Sequence, residues 1–248
     1  MSEQLNSSEI ERYARHIILP EIGGIGQQKL KAAKVAVLGA GGLGSPVITY
    51  LAAAGIGTIG IIDDDDVSLS NLQRQIIHDT GQVDKSKTES AAQSVKRINP
   101  NVNVHKHNLR LTKENAEDLL SGYDLVVDGA DHFATRYILA DAASALKIPM
   151  VMAAVGRFDG SITVFKPYEN DYPSIYDLYP DAPPDGLLPS CAEAGIIGAL
   201  TGVIGTLQAM EVIKLITGIG DPLVGRLMLY DGLAARFDEI HYARLNKS

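Results

Sequence analysis

The chain has 248 residues, of which 46% are hydrophobic and 21% charged, and its formal net charge at pH 7 is −8. This length can bury a substantial core, and the composition is typical of a globular protein in water. The basic residues form no block, which argues against nucleic acid as a partner. The polar segment 1–12 lacks a signal-peptide core, and the stretch Gly195–Ile216 is too polar to span a bilayer. We therefore expect no membrane association, and a single cysteine fits a reducing compartment such as the cytoplasm.

Strand and helix patterns alternate along the first 154 residues. Strands are predicted at 35–38, 58–62, 101–105, 124–128 and 150–154, and helices at 8–19, 85–99, 112–120, 135–146 and directly after Ser45. Ser45 and Thr112 are suited to cap the helices that follow them, and the glycines after Pro20 are expected to break the first helix. This alternation predicts a doubly wound, mostly parallel, Rossmann-like α/β sheet with helices on both faces.

The rhythm changes after Ala154. Residues Phe158–Ser161 are typical of a hairpin turn, and Tyr168–Pro189 has no period and is expected to be a long loop. A helix is predicted at Gly195–Gly218 and a last strand at Leu227–Tyr230. We expect a single domain over 1–248, with a nucleotide-binding part at 1–154 and a smaller antiparallel C-terminal sheet and crossover loop at 155–248.

A glycine-rich turn follows the first strand and contains Gly39, Gly41, Gly42 and Gly44. Glycines let a phosphate approach the backbone, and the N-terminus of the next helix supplies free N–H groups. Asp63 ends the second strand about 20 residues on, where an acid can bind ribose hydroxyls. The pattern predicts a nucleotide cradle; the alternative is a tight strand–helix turn with a solvated acid.

Two cations and an amide follow the acidic run 63–66, namely Asn71, Arg74 and Lys87. They can hold a polyphosphate and take up charge as it breaks, whereas a dehydrogenase keeps its pyrophosphate intact. The alternative is a solvated charged face.

Acidic residues also end the fourth strand, where ligands bind in doubly wound sheets. Asp131 follows Asp128 and precedes His132, and a carboxylate there could hold Mg²⁺ with few protein ligands. The alternative is a helix-capping turn.

Several motifs together resemble the ThiF/MoeB/HesA family, the bacterial relatives of ubiquitin-activating enzymes. They occur in order at Arg12–Pro20, the glycine turn, Ser70–Gln75, Lys87, Asp128–Asp131, Cys191–Gly195 and Gly205–Ala209. The resemblance implies that ATP and Mg²⁺ adenylate the C-terminal glycine of a small ubiquitin-like sulfur carrier protein ending in Gly-Gly, and that pyrophosphate leaves. A sulfur donor then converts the acyl-adenylate to a thiocarboxylate for thiamin or molybdopterin synthesis.

The resemblance also assigns roles to residues of this chain. Asp63 would hold the ribose, and Gly42 with the segment Ser70, Asn71, Leu72, Gln73 and Arg74 would line the nucleotide. Arg74 and Lys87 would neutralise the phosphates, and Asp131 would bind Mg²⁺. Arg15 would reach the phosphates from a second subunit, which implies a homodimer with shared sites.

The chain departs from the family at the zinc ligands and at His132, and its single cysteine needs separate treatment. Many members hold zinc with two Cys-x-x-Cys pairs, whereas Ser174 and Asp177 stand at the first pair, so we expect no structural zinc. His132 replaces the usual asparagine beside the Mg²⁺ aspartate. Cys191 matches a cysteine that forms a covalent sulfur link in some relatives, although a lone cysteine is more often a small buried hydrophobe.

Two competing functions stay open. An NAD-dependent oxidoreductase could use the same cradle, without needing Arg74 or Lys87. A non-catalytic scaffold could bind a carrier-like protein without turnover, and the missing zinc ligands and His132 favour it. The cations Arg15, Arg74 and Lys87, together with Asp131, favour the enzyme.

Overall fold

The computed structural model describes residues 4–130, 132–181 and 195–245, and these contain one sheet of eight strands. The spatial order of the strands is β3-β2-β1-β4-β5-β6-β7-β8. The first five strands in that order are parallel, and β5 to β8 are antiparallel. The mixed sheet confirms the predicted fold class. The strands are β1 (Lys34–Leu38), β2 (Thr58–Ile62), β3 (Asn103–His107), β4 (Leu125–Asp128), β5 (Met150–Gly156), β6 (Asp159–Phe165), β7 (Arg226–Asp231) and β8 (Arg236–His241).

Helices cover both faces of the parallel part. The helices in chain order are α1 (Ser7–Arg12), α2 (Ala14–Ile17), α3 (Gly23–Ala32), α4 (Gly44–Ala54), α5 (Lys87–Ile98), α6 (Ala116–Leu120), α7 (Phe133–Leu146), α8 (Ile175–Leu178) and α9 (Gly198–Thr217). Alternate residues of β1 point to opposite faces: Val35 and Val37 pack with α3, α4, α5 and α9, and Ala36 and Leu38 pack with α6 and α7. Both faces of the central strands are therefore buried, as is usual for a parallel sheet.

The helix predicted at 8–19 does end before Pro20, at Ile17, and it is divided into α1 and α2 at Tyr13. The glycines at 23, 24 and 26 nevertheless lie within a further helix, α3, that was not predicted. Gly26 is buried, and a Cβ atom built there would lie 3.7 Å from Thr217 of α9. The closest atom to such a Cβ would be Cγ2 of Ile22, at 2.9 Å, so glycine at this position makes room for Ile22 at the start of α3.

Two predicted helix caps are wrong. Ser45 lies inside the first turn of α4, where its hydroxyl donates to the Gly41 carbonyl at 2.6 Å. The backbone N–H of Thr112 donates to the side chain of Asn115 at 2.8 Å, so α6 begins only at Ala116. At Ser45 the hydroxyl bonds back to a carbonyl, which competes with capping a free N–H.

Two predicted strands also need correction. β3 lies at Asn103–His107, two residues later than expected, and β7 is followed by a further strand, β8. Every residue of β8 is exposed, so its sequence lacks the apolar alternation by which strands are found.

The helix α9 is long and apolar enough to cross a membrane by length and composition alone. Half of that stretch is buried within the protein, and Leu200, Ile204 and Val212 belong to the core on the β1 face. These contacts with the sheet are those of a core helix.

Candidate active site at the carboxyl ends of the parallel strands

The glycine turn joins β1 to α4 in a conformation that needs glycine at two positions. Gly39 has φ +87°, in the left-handed region, and its N–H donates to Ile62 O at 2.8 Å. A Cβ atom on Gly44 would lie 1.9 Å from the carbonyl oxygen of Gly39. The turn can therefore close this tightly only without side chains at these positions.

The two inner glycines have different surroundings. A Cβ atom on Gly42 would lie 3.0 Å from Thr201 of α9, so this glycine is a packing contact between the turn and α9. A Cβ atom on Gly41 would meet nothing closer than the side-chain nitrogen of Gln75, at 3.7 Å. The Gly41 backbone therefore presents an open face beside a side-chain amide.

Ala40 is held at both of its backbone groups. Its N–H donates to Asp63 Oδ2 at 2.7 Å, and its carbonyl lies 2.9 Å from His78 Nε2. The other oxygen of Asp63 accepts the N–H of Asp65 at 2.9 Å. Burial raises the pKa of Asp63, and Lys87 and these hydrogen bonds oppose that rise. Each carboxylate oxygen keeps a lone pair, so the predicted role in ribose binding remains open to Asp63.

Lys87 is the first residue of α5, and its side chain is only 7% exposed. Its amine lies 2.7 Å from Oδ2 of Asp65, a largely exposed residue of the acidic run after β2. The backbone N–H of Lys87 also donates to Asp65 O at 2.9 Å. The structure thus fixes a buried cation beside the predicted ribose acid, Asp63.

The segment 68–75 lies between the glycine turn and the N-terminus of α9. Asn71 accepts the N–H of Ser68 at 3.1 Å, and the half-buried Arg74 donates to Ser70 O at 3.2 Å. A Cβ atom on Gly198 would lie 2.1 Å from Gln73 O, so the segment is packed tightly against α9. Leu72 is half-buried within it.

Gln75 provides the strongest sign of a missing ligand. It is buried, yet its side-chain oxygen has no hydrogen-bond partner among the residues described. An unpaired buried amide is costly unless something binds it. Because this amide lies next to the open face of Gly41, the turn fits a polar ligand such as a nucleotide.

The loop after β4 is fixed by a buried ion pair. Asp128 is fully buried, accepts the N–H of Ala130 at 2.9 Å and lies 3.3 Å from Arg136 Nε. Arg136 also donates to Ala130 O at 2.9 Å. Asp131, the predicted Mg²⁺ ligand, lies outside the described residues, and His132 is exposed directly before α7.

Two further predicted residues are not brought to this site within the described chain. Arg15 is exposed on α2. Cys191 lies outside the described residues. The role of each stays a prediction.

Sequence reasoning missed His78, Gln75 and Arg136 as parts of this site. Gln75 stood at the end of a motif but received no role, and His78 follows it by three residues. The position of His78, so close to a motif that lines the turn, could have indicated a role. Nothing in the sequence indicates a role for Arg136, because its contact with Asp128 exists only in the folded chain.

The residues at the family's zinc position do not fit a zinc site. The backbone N–H and hydroxyl of Ser174 both donate to Asp177 at 2.7 Å, and the backbone N–H of Leu245 donates to the other oxygen of Asp177 at 2.8 Å. A four-thiolate site cannot form from these groups. Hydrogen bonds hold the loop as far as Tyr179, whose carbonyl accepts from the Tyr137 hydroxyl at 2.8 Å. Residues 182–189 lie outside the described chain.

The fold and this site define a Rossmann-like α/β protein of the nucleotide-binding class. A model of the ThiF family matches residues 13–248. The chain belongs to the ThiF family.

Several proteins are similar in sequence. The probable adenylyltransferase/sulfurtransferase MoeZ of Mycobacterium tuberculosis is 49% identical over 238 residues, which are 95% of this chain and 61% of MoeZ. A sulfur carrier protein adenylyltransferase of Thermus thermophilus is 45% identical, over 95% of this chain and 88% of that protein. The SAMP-activating enzyme E1 of Haloferax volcanii is 43% identical, over 98% of this chain and 88% of that protein. The chain thus spans less than two thirds of the length of MoeZ.

Solved structures share the fold. The crystal structure of PaaA superposes with a TM-score of 0.84 at 26% identity, covering 99% of this chain and 77% of PaaA. A structure of E. coli MccB with ATP gives a TM-score of 0.83 at 22% identity, covering 95% of this chain and 73% of MccB.

Proposed function

We propose that this chain adenylates the C-terminal glycine of a small ubiquitin-like sulfur carrier protein, using ATP and releasing pyrophosphate. The observation that carries the proposal is the buried Gln75 beside Gly41, whose side-chain oxygen is unpaired among the described residues. The cations Arg74 and Lys87 belong to the segment 68–75 and to the start of α5. Relatives that are 43–49% identical are named adenylyltransferases or activating enzymes. A nicotinamide dehydrogenase would have no use for the two cations.

The proposed nucleotide contacts follow the geometry of the site. Asp63 would bind the ribose, and the segment Ser70–Arg74 would line the nucleotide with the glycine turn. Arg74 and Lys87 would bind the phosphates, Lys87 exchanging its contact with Asp65 for a phosphate oxygen. Asp131, with His132 beside it, would hold Mg²⁺, which when bound stabilises charge on phosphate oxygens.

The reaction needs charge stabilisation more than proton transfer. The carrier's terminal carboxylate is ionised near neutral pH, so it attacks the α-phosphorus without a general base. A carboxylate–phosphorus bond forms, and the bond to the bridging oxygen breaks, so that its electron pair leaves with pyrophosphate. Preorganised cations at this position lower the barrier because negative charge grows there.

The proposal includes a homodimer in which Arg15 completes the site of the partner subunit. Ile18 is 72% exposed and Ile25 is 75% exposed, and both lie near Arg15 in the chain. Exposed apolar residues of this kind favour a protein contact. We further propose a single adenylation domain in the cytoplasm, without structural zinc, that cooperates with a sulfur donor protein, and a covalent sulfur role for Cys191 that is separate from adenylation.

Carrier-dependent ATP–pyrophosphate exchange tests the proposed reaction. The purified chain is assayed against small proteins that end in Gly-Gly, and against the same proteins with that tail removed. Exchange that requires the tail is expected. ATP binding without exchange for any carrier would favour the scaffold, and thermal stabilisation by NAD but not by ATP–Mg²⁺ would favour the oxidoreductase.

Subunit mixing tests the shared site. Arg15→Ala and Lys87→Ala are each expected to be inactive alone. In mixed dimers one site contains both wild-type residues, so random mixing should recover about a quarter of the wild-type activity. No recovery, with dimers shown to exchange subunits, would place Arg15 outside the partner's site.

A further inference from the structure

We propose that His78 is a positioning residue, which orients the Ala40–Gly41 peptide so that the Gly41 N–H faces the nucleotide. This inference rests on the proposed ATP-dependent function. It assigns a role to a residue that lies outside the motifs from which the site was predicted.

The hydrogen bonds of His78 define the state of its ring. Nε2 lies 2.9 Å from Ala40 O, and Nδ1 lies 2.8 Å from the hydroxyl oxygen of Ser90. A carbonyl can only accept, so Nε2 carries the hydrogen, and Nδ1 of the neutral ring accepts from Ser90. Burial lowers the pKa of His78, and the charge of Lys87 lowers it further, which keeps the ring neutral near pH 7.

The planarity of the peptide transmits this contact to the ligand side. In a trans peptide the C=O and the following N–H point in opposite directions. Because His78 holds the Ala40 carbonyl on the protein side, the Gly41 N–H must face away from it. That N–H has no hydrogen-bond partner within the described residues, and Gly41 is the glycine with the open face. A free N–H on such a turn suits a phosphate oxygen.

His78 also connects the glycine turn to the helix that carries Lys87. Ser90 lies one turn after Lys87 on α5, so the ring bridges Ala40 and α5. The same alanine donates its N–H to Asp63 at 2.7 Å. Its carbonyl and its N–H are thus held by side chains on opposite sides of the turn, and the distance from the turn to Lys87 is set by the imidazole.

The competing interpretation is a core histidine that only supports the fold. Two neutral variants separate the two roles, because each keeps only one of the two hydrogen bonds of the His78 ring. The amide nitrogen introduced by His78→Gln can reach the position of Nε2 and donate to Ala40. The shorter side chain introduced by His78→Asn places its amide nitrogen only at the position of Nδ1, near Ser90. His78→Gln should therefore preserve ligand binding and His78→Asn should not.

The experiment measures the Kd for ATP by calorimetry, the KM for ATP in carrier-dependent exchange, and the melting temperature of the full chain. We expect His78→Asn to weaken both ATP constants by about tenfold, since a buried carbonyl loses its donor. His78→Gln should stay within about threefold of wild type. Asn99→Ala is the control: Asn99 is buried beside the far end of α5 and bonded to Tyr13, so it should lower the melting temperature without changing the Kd.

Equal effects of the two His78 variants on ATP binding would overturn the inference, as would a normal Kd in His78→Asn. The proposed function fails separately: a wild-type chain that binds ATP but exchanges with no carrier refutes adenylation, while the calorimetric comparison still decides the role of His78. A wild-type chain that does not bind ATP refutes both.

Discussion

The two ends of the sheet place their charged side chains in opposite ways. At the carboxyl ends of the parallel strands, the side chains of Asp128 and Lys87 are buried. Asp128 contacts a backbone N–H and Arg136, and the Lys87 amine contacts Asp65. In the antiparallel part, ion pairs such as Arg226–Glu239 and Arg244–Asp171 lie at or near the surface. The parallel end therefore holds its charges in set positions, whereas the antiparallel end holds them where water screens them.

The difference shows which end can do chemistry. A cavity of about 540 Å³ lies in the antiparallel part, but its lining cations Lys166, Arg226 and Arg244 each have an acidic partner. At the parallel end, by contrast, the buried side-chain oxygen of Gln75 has no hydrogen-bond partner among the described residues. Unmet polar groups indicate a binding site better than the size of a cavity does.

Removing the buried acid should give the largest effect and tests whether the parallel end is held by its charges. Asp128→Ala leaves Arg136 buried without its partner, so the free energy of unfolding should fall by about 3–5 kcal/mol. Urea denaturation monitored by circular dichroism measures this. A loss below about 1 kcal/mol would mean that Asp128 behaves like a surface charge, and the comparison between the two ends would fail.

Removing a phosphate-binding cation should lower catalysis without unfolding the chain. Lys87→Ala, like Arg74→Ala, should cost on the order of 3 kcal/mol of transition-state stabilisation, about a hundredfold in exchange rate. Lys96→Ala, which removes an exposed lysine from the same helix, is the matched control and should keep the wild-type rate. Undiminished exchange in Lys87→Ala would show that Lys87 does not stabilise the transition state.

Lowering the pH should reduce the free energy of unfolding through protonation of His78. Its pKa lies below the ordinary value of 6.5 because burial disfavours the charged ring. The unfolded chain therefore binds a proton first, so stability present above pH 6.5 is lost as the pH falls toward the folded pKa. The loss is at most about 1.4 kcal/mol per pH unit.

Unfolding free energies at several pH values, compared between wild type and His78→Gln, isolate this contribution. His107, whose pKa is also lowered by burial, is present in both proteins and cancels in the difference. Parallel pH curves for the two proteins would show that His78 does not titrate differently in the folded and unfolded states.

The smallest effect is expected at the antiparallel end. The side chain of Asp171 is 95% exposed and that of Arg244 is 51% exposed, so their ion pair should contribute less than about 1 kcal/mol. A double-mutant cycle with Asp171→Ala and Arg244→Ala measures the coupling, and high salt should reduce it. A coupling energy as large as the Asp128 effect would erase the contrast between the two ends.

The parallel half could be predicted from the sequence because its signals are local. Apolar runs bounded by a glycine turn and an acidic run identify β1, α4 and β2, and the site follows where those strands end. The strand β8 could not be found in this way, since Arg236, Asp238 and Glu239 give it the composition of a loop. Its strand character depends on pairing with β7.

Other features depend on contacts that are distant in the chain. The need for glycine at position 42 becomes visible only when Thr201 of α9 is known to lie 3.0 Å from where its Cβ atom would be. The role of Gln75 depends on a space beside Gly41, and the histidine that holds Ala40 is 38 residues away. No periodicity in a single sequence carries such information.

The hydrogen bond between Asp177 and Leu245 has a consequence for which substitutions position 245 can accept during evolution. Asp177 accepts a hydrogen bond from the backbone N–H of Leu245, and this bond does not involve the exposed leucine side chain. Residues of nearly any type could therefore replace leucine as homologous chains diverge, and proline, which has no N–H, is the one replacement that would undo the attachment. A thiolate-bound metal tolerates no such drift at its ligands.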